Sequence, residues 1–151
     1  MLWKDYLKTR GINVAGMALR ECFLRLDAGL RDKVPRGDIS GCTACVVLIT
    51  PGHIICANAG DSRAILRNNG EVEPLSKDHK PTDPQEYARI YAANDFVRMG
   101  RVHGALAVAR AFGDFDYKKS TSKNNGLTRR LPPEKQPVPT TSTRCFKHSI
   151  S

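Results

Sequence analysis

Residues 40–66 read SGCTACVVLITPGHIICANAGDSRAIL, and this stretch decides the fold. Two β-rich apolar runs, at 44–49 and 54–59, flank Pro51-Gly52. Pro51-Gly52 stops the first run, and the link is too short for a crossover helix, so the two strands pair antiparallel. After Gly60-Asp61-Ser62-Arg63 the apolar pattern resumes at 64–66. Asn68-Asn69-Gly70 is a strong hairpin signal, and 71–75 forms the returning strand. Together these runs predict an antiparallel meander.

Working outward, residues 12–30 place apolar groups at helical spacing: Ala15, Leu19, Cys22 or Phe23, Leu26 and Leu30. That pattern predicts an amphipathic helix with one buried stripe, Arg20, Glu21, Arg25 and Asp27 lying on other faces. A polar loop with Pro35 and Gly37 separates it from the strands. Downstream, Asp83-Pro84-Gln85-Glu86 opens a second helix that runs to about Ala93. Asp83 caps the first N–H groups, Pro84 suits the first helical position, and Glu86 returns a bond to the cap. Residues 101–108 predict a further strand, interrupted by Gly104. Residues 120–151 hold four of the nine prolines and few large apolar groups. Such a tail cannot bury enough area to offset its ordering, so it is expected to be mostly disordered.

Bulk properties narrow the function classes. A chain of 151 residues with 40% hydrophobic and 26% charged content predicts a globular domain. No apolar run approaches a membrane span, and MLWKDYLKTR shows no secretory signal, so the expected compartment is cytoplasmic or nuclear. The net charge is +9, but residues 41–120 are nearly balanced while 121–151 carry 6 basic and 1 acidic group. That distribution describes a solvated basic tail rather than a nucleic-acid-reading face. Neither nucleic acid nor membrane is expected as a partner. The five cysteines are expected to be reduced thiols. Cys42, Cys45, His53 and Cys56 invite a zinc reading, but Cys42 and Cys45 point to opposite faces of a strand. Cys45 and Cys56 can share a face, which provides two ligands where structural zinc takes four.

Asp61 is the candidate for chemistry. Gly60 before it permits a sharp bend that turns the carboxylate out of the strand alternation. Hard cations such as Mg2+ and Mn2+ take such oxygens. The competing reading is a turn aspartate bonded to its own backbone.

GDSRA at 60–64, DHKP at 78–81, P-x-E-x-x-RI at 84–90, RV-x-G-x-LAV at 101–108 and RAFGD at 110–114 occur in that order. This series resembles the PPM-type (type 2C) metal-dependent Ser/Thr protein phosphatases, and the GDFDYK ending is similar to their animal cytosolic or nuclear branch. The resemblance implies an α+β fold, here an incomplete PPM sandwich of antiparallel β-sheets flanked by helices. Residues 1–119 would form the partial domain (helix, β-meander and flap) and 120–151 the tail. It implies phosphoprotein substrates and Mg2+ or Mn2+ as cofactor, the ions activating a bridging water. Asp61 matches the position linked in the family to an additional, weaker metal.

The same resemblance shows what the chain lacks. The family's metal carboxylates stand mostly in Asp-Gly and Asp-Asn contexts, and neither dipeptide occurs here. No catalytic residue is therefore assigned, and the chain is expected to be inactive as it stands. The other reading is a non-catalytic, pseudophosphatase-like binding or regulatory module. Asp5, Asp27, Asp32 and Asp38 are expected as surface charges. Asp78, His79, Lys80, Arg89 and Arg101 fall in the flap, where His79 is expected to be structural. The family's acid histidine belongs to the missing Asp-Gly-His segment. Asn94-Asp95, His103 and Ala109 depart from the usual flap pattern. After LPPEKQPV the chain runs PTTSTRCFKHSIS where the family has an acidic stretch and a buried strand, suggesting an alternative exon, a frameshifted end or an incomplete gene model. With the sheets incomplete, an apolar face and a strand edge should be left open to partners or self-association.

Overall fold

The computed structural model describes residues 12–35, 37–50, 52–118 and 142–147. In chain order these form α1 (Ile12–Arg31), β1 (Gly41–Cys42), β2 (Ala44–Thr50), β3 (His53–Ala59), β4 (Ile65–Asn68), β5 (Glu71–Pro74) and α2 (Pro84–Ala92). There follow β6 (Val97–Arg98), β7 (Arg101–Val102), β8 (Phe112–Gly113), a 3-10 turn (Phe115–Lys118) and β9 (Ser142–Lys147).

The paired strands at the centre form as the sequence predicts. β2 and β3 are antiparallel, with Ala44 opposite Ala59 and Thr50 opposite His53. Thr50 Oγ1 closes their turn by accepting from His53 N at 3.1 Å. β4 and β5 pair around Asn69-Gly70, whose φ values of 49° and 88° suit a two-residue hairpin turn. The expected continuous meander does not form, however. Gly60 turns the chain at φ 102°, and β4–β5 becomes a separate sheet.

The second edge of β3 is taken instead by β9, with His53 opposite Lys147 and Asn58 opposite Ser142. These six residues of the tail expected to be mostly disordered form a strand. β3 presents a row of backbone N–H and C=O groups that needs a partner, and pairing satisfies it without help from side-chain periodicity. Residues 119–141 and 148–151 lie outside the described residues.

α1 packs on the face of β3 that carries Ala57 and Ala59. Phe23 and Phe112 meet there with ring centroids 5.1 Å apart, and Leu19 and Ala44 pack around them. The buried line of the helix is Ala15, Leu19, Phe23 and Asp27, not the line continuing to Leu26 and Leu30, which stay 55% and 39% exposed. The helix is therefore phased so that a carboxylate enters the core where an apolar residue was expected. The opposite face of β3 sends Ile54 and Cys56 against Leu75, with Ala64 and Leu66 alongside.

A third cluster gathers Ile90 of α2 with Val102, Ala109 and Ala111, against which Val97, Leu106, Val108 and Tyr117 pack. Asp83 caps α2 by accepting from Gln85 N at 3.0 Å, and Pro84 stands at the first position. Glu86 does not return the expected capping bond, because two arginines hold its carboxylate. The predicted strand at 101–108 shrinks to β7, which pairs with β6 around Met99-Gly100. His103 and Gly104 both take positive φ, so the chain turns there. Only a single bridge, Val102 to Leu106, continues the ladder.

Candidate functional site

The candidate site grows from the end of β3. Asn58 is buried, and its Nδ2 donates to Gly60 O and to Lys77 O, both at 3.1 Å. Gly60 then bends the chain. A Cβ on Gly60 would lie 2.3 Å from Thr43 Cγ2, so only glycine fits against Thr43 here. The Asp61 carboxylate therefore leaves the strand alternation, as expected, and receives the ammonium of Lys80. Beside it, the hydroxyls of Thr43 and Ser62 bond each other at 2.7 Å.

The segment 60–64 is laced to 75–80. Arg63 donates from Nε and Nη2 to the two oxygens of Asp78 at 2.9 and 2.8 Å. Those bonds hold the Asp78 carboxyl below its usual range. Ala64 N donates to Ser76 Oγ at 2.9 Å, and Leu75 N to Ala64 O at 2.9 Å. His79 N donates to Gly60 O at 3.0 Å.

His79 is buried under this lacing. Its Nδ1 lies 3.2 Å from Gly60 N and 3.1 Å from Gly60 O, so it accepts or donates according to tautomer. Burial, aided by the nearby Arg110 cation, pushes its pKa down to about 4. The ring is thus neutral at neutral pH and committed to backbone support, in keeping with the structural role read for it.

Behind His79 stands the Glu86 cluster. Glu86 accepts from Arg89 Nη2 and Arg110 Nη2, each at 2.7 Å, and from their Nε atoms at 3.0 and 2.9 Å. Burial raises the Glu86 pKa, but Arg110 and then Arg89 outweigh it, and the carboxyl titrates below its usual range. Arg89 Nη2 also donates to Ala109 O at 2.8 Å, while Ala109 N donates to His79 O at 2.8 Å. The cluster thereby joins α2, the 109–110 segment and the Asp61 turn. The i, i+3 spacing of Glu86 and Arg89 is visible in sequence, but the arrival of Arg110 is not.

Two of the departures from the family pattern, Asp95 and His103, are neighbours. The buried Asp95 carboxylate pairs with His103 Nε2 and accepts from Phe96 N at 2.8 Å. The His103 ring lies between Phe96 and Tyr117, with centroids 5.1 and 5.4 Å away. Arg101 Nη1 braces the same turn by donating to Ala105 O at 2.7 Å. Ala109 is fully buried in the flap core.

The expectation for Asp27 is overturned. It is buried on α1 and holds Lys118, whose Nζ lies 2.8 and 2.9 Å from its two oxygens. Nothing in the local sequence marks this carboxylate as different from Asp32.

A divalent metal pair does not fit the donors in place. Asp61 is one carboxylate already engaged by Lys80, and its neighbour Asp78 is engaged by Arg63. Among the described residues no three His, Cys, Asp or Glu side chains converge. Magnesium and manganese normally take about six oxygen ligands. Among the described residues no helix is long and apolar enough to cross a membrane.

The sequence pattern described as Protein phosphatase 2C matches residues 6–149. Protein phosphatase 2C homolog 2 of Schizosaccharomyces pombe is 51% identical over 123 residues, covering 80% of this chain and 31% of that protein. The human probable protein phosphatase 1N is 45% identical over 121 residues, covering 80% of this chain and 26% of that protein. The chain thus spans less than a third of the length of these curated relatives. A solved phosphatase from a pathogenic strain of Toxoplasma gondii superposes with a TM-score of 0.66 at 26% identity, covering 85% of this chain and 53% of that one. A Caenorhabditis elegans sex determining protein gives a TM-score of 0.70 at 24% identity, covering 97% and 34%, a likeness of fold alone.

Proposed function

Because the chain belongs to the protein phosphatase 2C family, we propose that it carries the flap and part of the sandwich of a metal-dependent protein Ser/Thr phosphatase. Within such an enzyme the substrates are phosphoproteins, the cofactor is Mg2+ or Mn2+, and Asp61 stands at the position of an additional metal. The observation that supports this reading is the Gly60–Asp61 turn, held from below by His79 and the Glu86–Arg89–Arg110 cluster. Four of the five motifs that carry the family resemblance, those at 60–64, 78–81, 84–90 and 110–114, build it. The described residues do not themselves supply a metal pair, and on this reading the chain as it stands does not activate water for attack on phosphorus.

The test is hydrolysis of a phosphothreonine peptide with Mn2+. The chain alone is expected to show no turnover above buffer. Turnover that is abolished by Asp61→Ala would overturn the inactive reading.

A second reading, a non-catalytic binding module, is favoured by the exposed side of the flap. Tyr87 and Tyr91 stack there at 5.3 Å while remaining exposed, and Met99 is 88% exposed. Either reading takes the cytoplasmic or nuclear setting expected from the sequence, where cysteines are normally kept reduced.

A further inference from the structure

The sulfurs of Cys45 in β2 and Cys56 in β3 lie 3.9 Å apart. Cys45 stands opposite Asn58, and Cys56 opposite Val47, so the two are diagonal neighbours on one face. This is the pair that strand alternation places together. Their surroundings are apolar, with Ile54, Leu75, Ala64 and Leu66 in the same cluster. Cys56 is 1% exposed, whereas Cys45 is half-buried.

We propose that Cys45 and Cys56 form a peroxide-sensitive oxidation site that closes to a cross-strand disulfide. Cys45 reacts first because it is the more accessible. Its thiolate sulfur attacks one oxygen of hydrogen peroxide, the O–O bond breaks, and hydroxide leaves and takes a proton as water. The sulfenic acid so formed sits beside Cys56. The Cys56 thiolate attacks the sulfenic sulfur, the S–O bond breaks, and a second water leaves. Two thiols are oxidised and one peroxide is reduced to two waters.

The sulfurs must approach from 3.9 Å to about 2.05 Å, the length of a disulfide bond. Diagonal neighbours are set wider than directly opposite ones, so the bridge carries strain and yields readily to thiol reductants. It is a reversible tie rather than a permanent staple. Its effect falls on β2, which pairs with β3 and has no partner on its other edge among the described residues.

The experiment uses the full chain treated with hydrogen peroxide, alkylated and digested with trypsin. No Lys or Arg interrupts residues 37–62, so Cys42, Cys45 and Cys56 travel in one peptide ending at Arg63. The expected result is loss of two hydrogens from that peptide, restored by dithiothreitol. The loss should persist in Cys42→Ser and vanish in Cys45→Ser and, separately, in Cys56→Ser. The proposal is overturned if all three thiols remain alkylatable after peroxide, or if Cys42→Ser abolishes the loss.

Discussion

Asp27 and Lys118, 91 residues apart in sequence, form a buried ion pair that ties α1 to the chain leaving β8. The Lys118 side chain has no exposed surface, and its ammonium donates to both Asp27 oxygens and to Ala111 O. Asp27 also accepts from Gly113 N at 2.9 Å. Burial lowers the Lys118 pKa, with Asp27 opposing the shift.

Removing one partner strands a charge in the core. Asp27→Ala should cost about 3–5 kcal/mol, as for other broken buried pairs. Chemical denaturation measures it. Replacing both partners, Asp27→Leu with Lys118→Met, should recover a substantial part of the loss. If the double variant is no more stable than the single, the pair is not what holds this corner.

The His79 environment predicts a pH dependence. Its folded pKa, about 4, is below the ordinary 6.5. Above about pH 6.5 the ring is neutral folded and unfolded, and it adds no pH dependence. Between 6.5 and 4 the unfolded chain binds a proton that the folded chain refuses, so stability falls as pH falls, by up to about 1.4 kcal/mol per pH unit. Below about 4 this contribution levels off. NMR titration of the His79 ring reads it directly, and a midpoint near 6.5 would contradict the buried environment.

Gly60→Ala should destabilise the chain by more than about 1 kcal/mol, because φ is 102° and the new methyl would strike Thr43. The clash is with Thr43 Cγ2 at 2.3 Å, so adding Thr43→Ser should restore part of the stability while keeping the hydroxyl bonded to Ser62. Thermal unfolding of the two variants decides. Equal melting temperatures would place the cost in the positive φ and in the contact with Thr43 Cβ at 2.7 Å that serine retains.

Asp83→Ala removes the α2 cap and should cost about 0.5–2 kcal/mol. Faster hydrogen exchange across residues 84–92 is the readout. Unchanged protection would show that the Ala93 end, where Ala93 N bonds Arg89 O and Ile90 O, governs opening of the helix.

β2 exposes Ile49 at 72% and Val46 at 41% on an edge strand. Exposed apolar edges gain by pairing, so the chain should self-associate with rising concentration. Ile49→Lys should weaken that association on size-exclusion chromatography. A wild-type chain that stays monomeric at every concentration would show that the edge is tolerated.

The sequence by itself determined the features that local chemistry controls. Asn69-Gly70 specifies a hairpin because few other pairs accept both positive φ values, and Asp83-Pro84 marks a helix start because it answers the unpaired N–H groups there. Alternation along β2 and β3 allowed Cys45 and Cys56 to share a face. Gly60 announced the bend that turns out Asp61. Each of these signals acts over a few residues, so it survives without knowledge of the rest of the chain.

Tertiary structure alone decided which charges are buried and which strand edge is filled. Asp27 and Asp32 look alike in sequence, yet only Asp27 meets a lysine brought from position 118. Glu86 fits a capping box until Arg110 arrives from 24 residues away and takes its carboxylate. Asp95 and His103 gain their meaning as a pair only when β6 and β7 fold back on each other. β9 finds its strand partner through an open backbone edge rather than through composition. The physical reason is common to all four. Burying a charge or a backbone polar group is favourable only with a partner in place, and the partner's position is set by packing across the chain, not by the residues next to it.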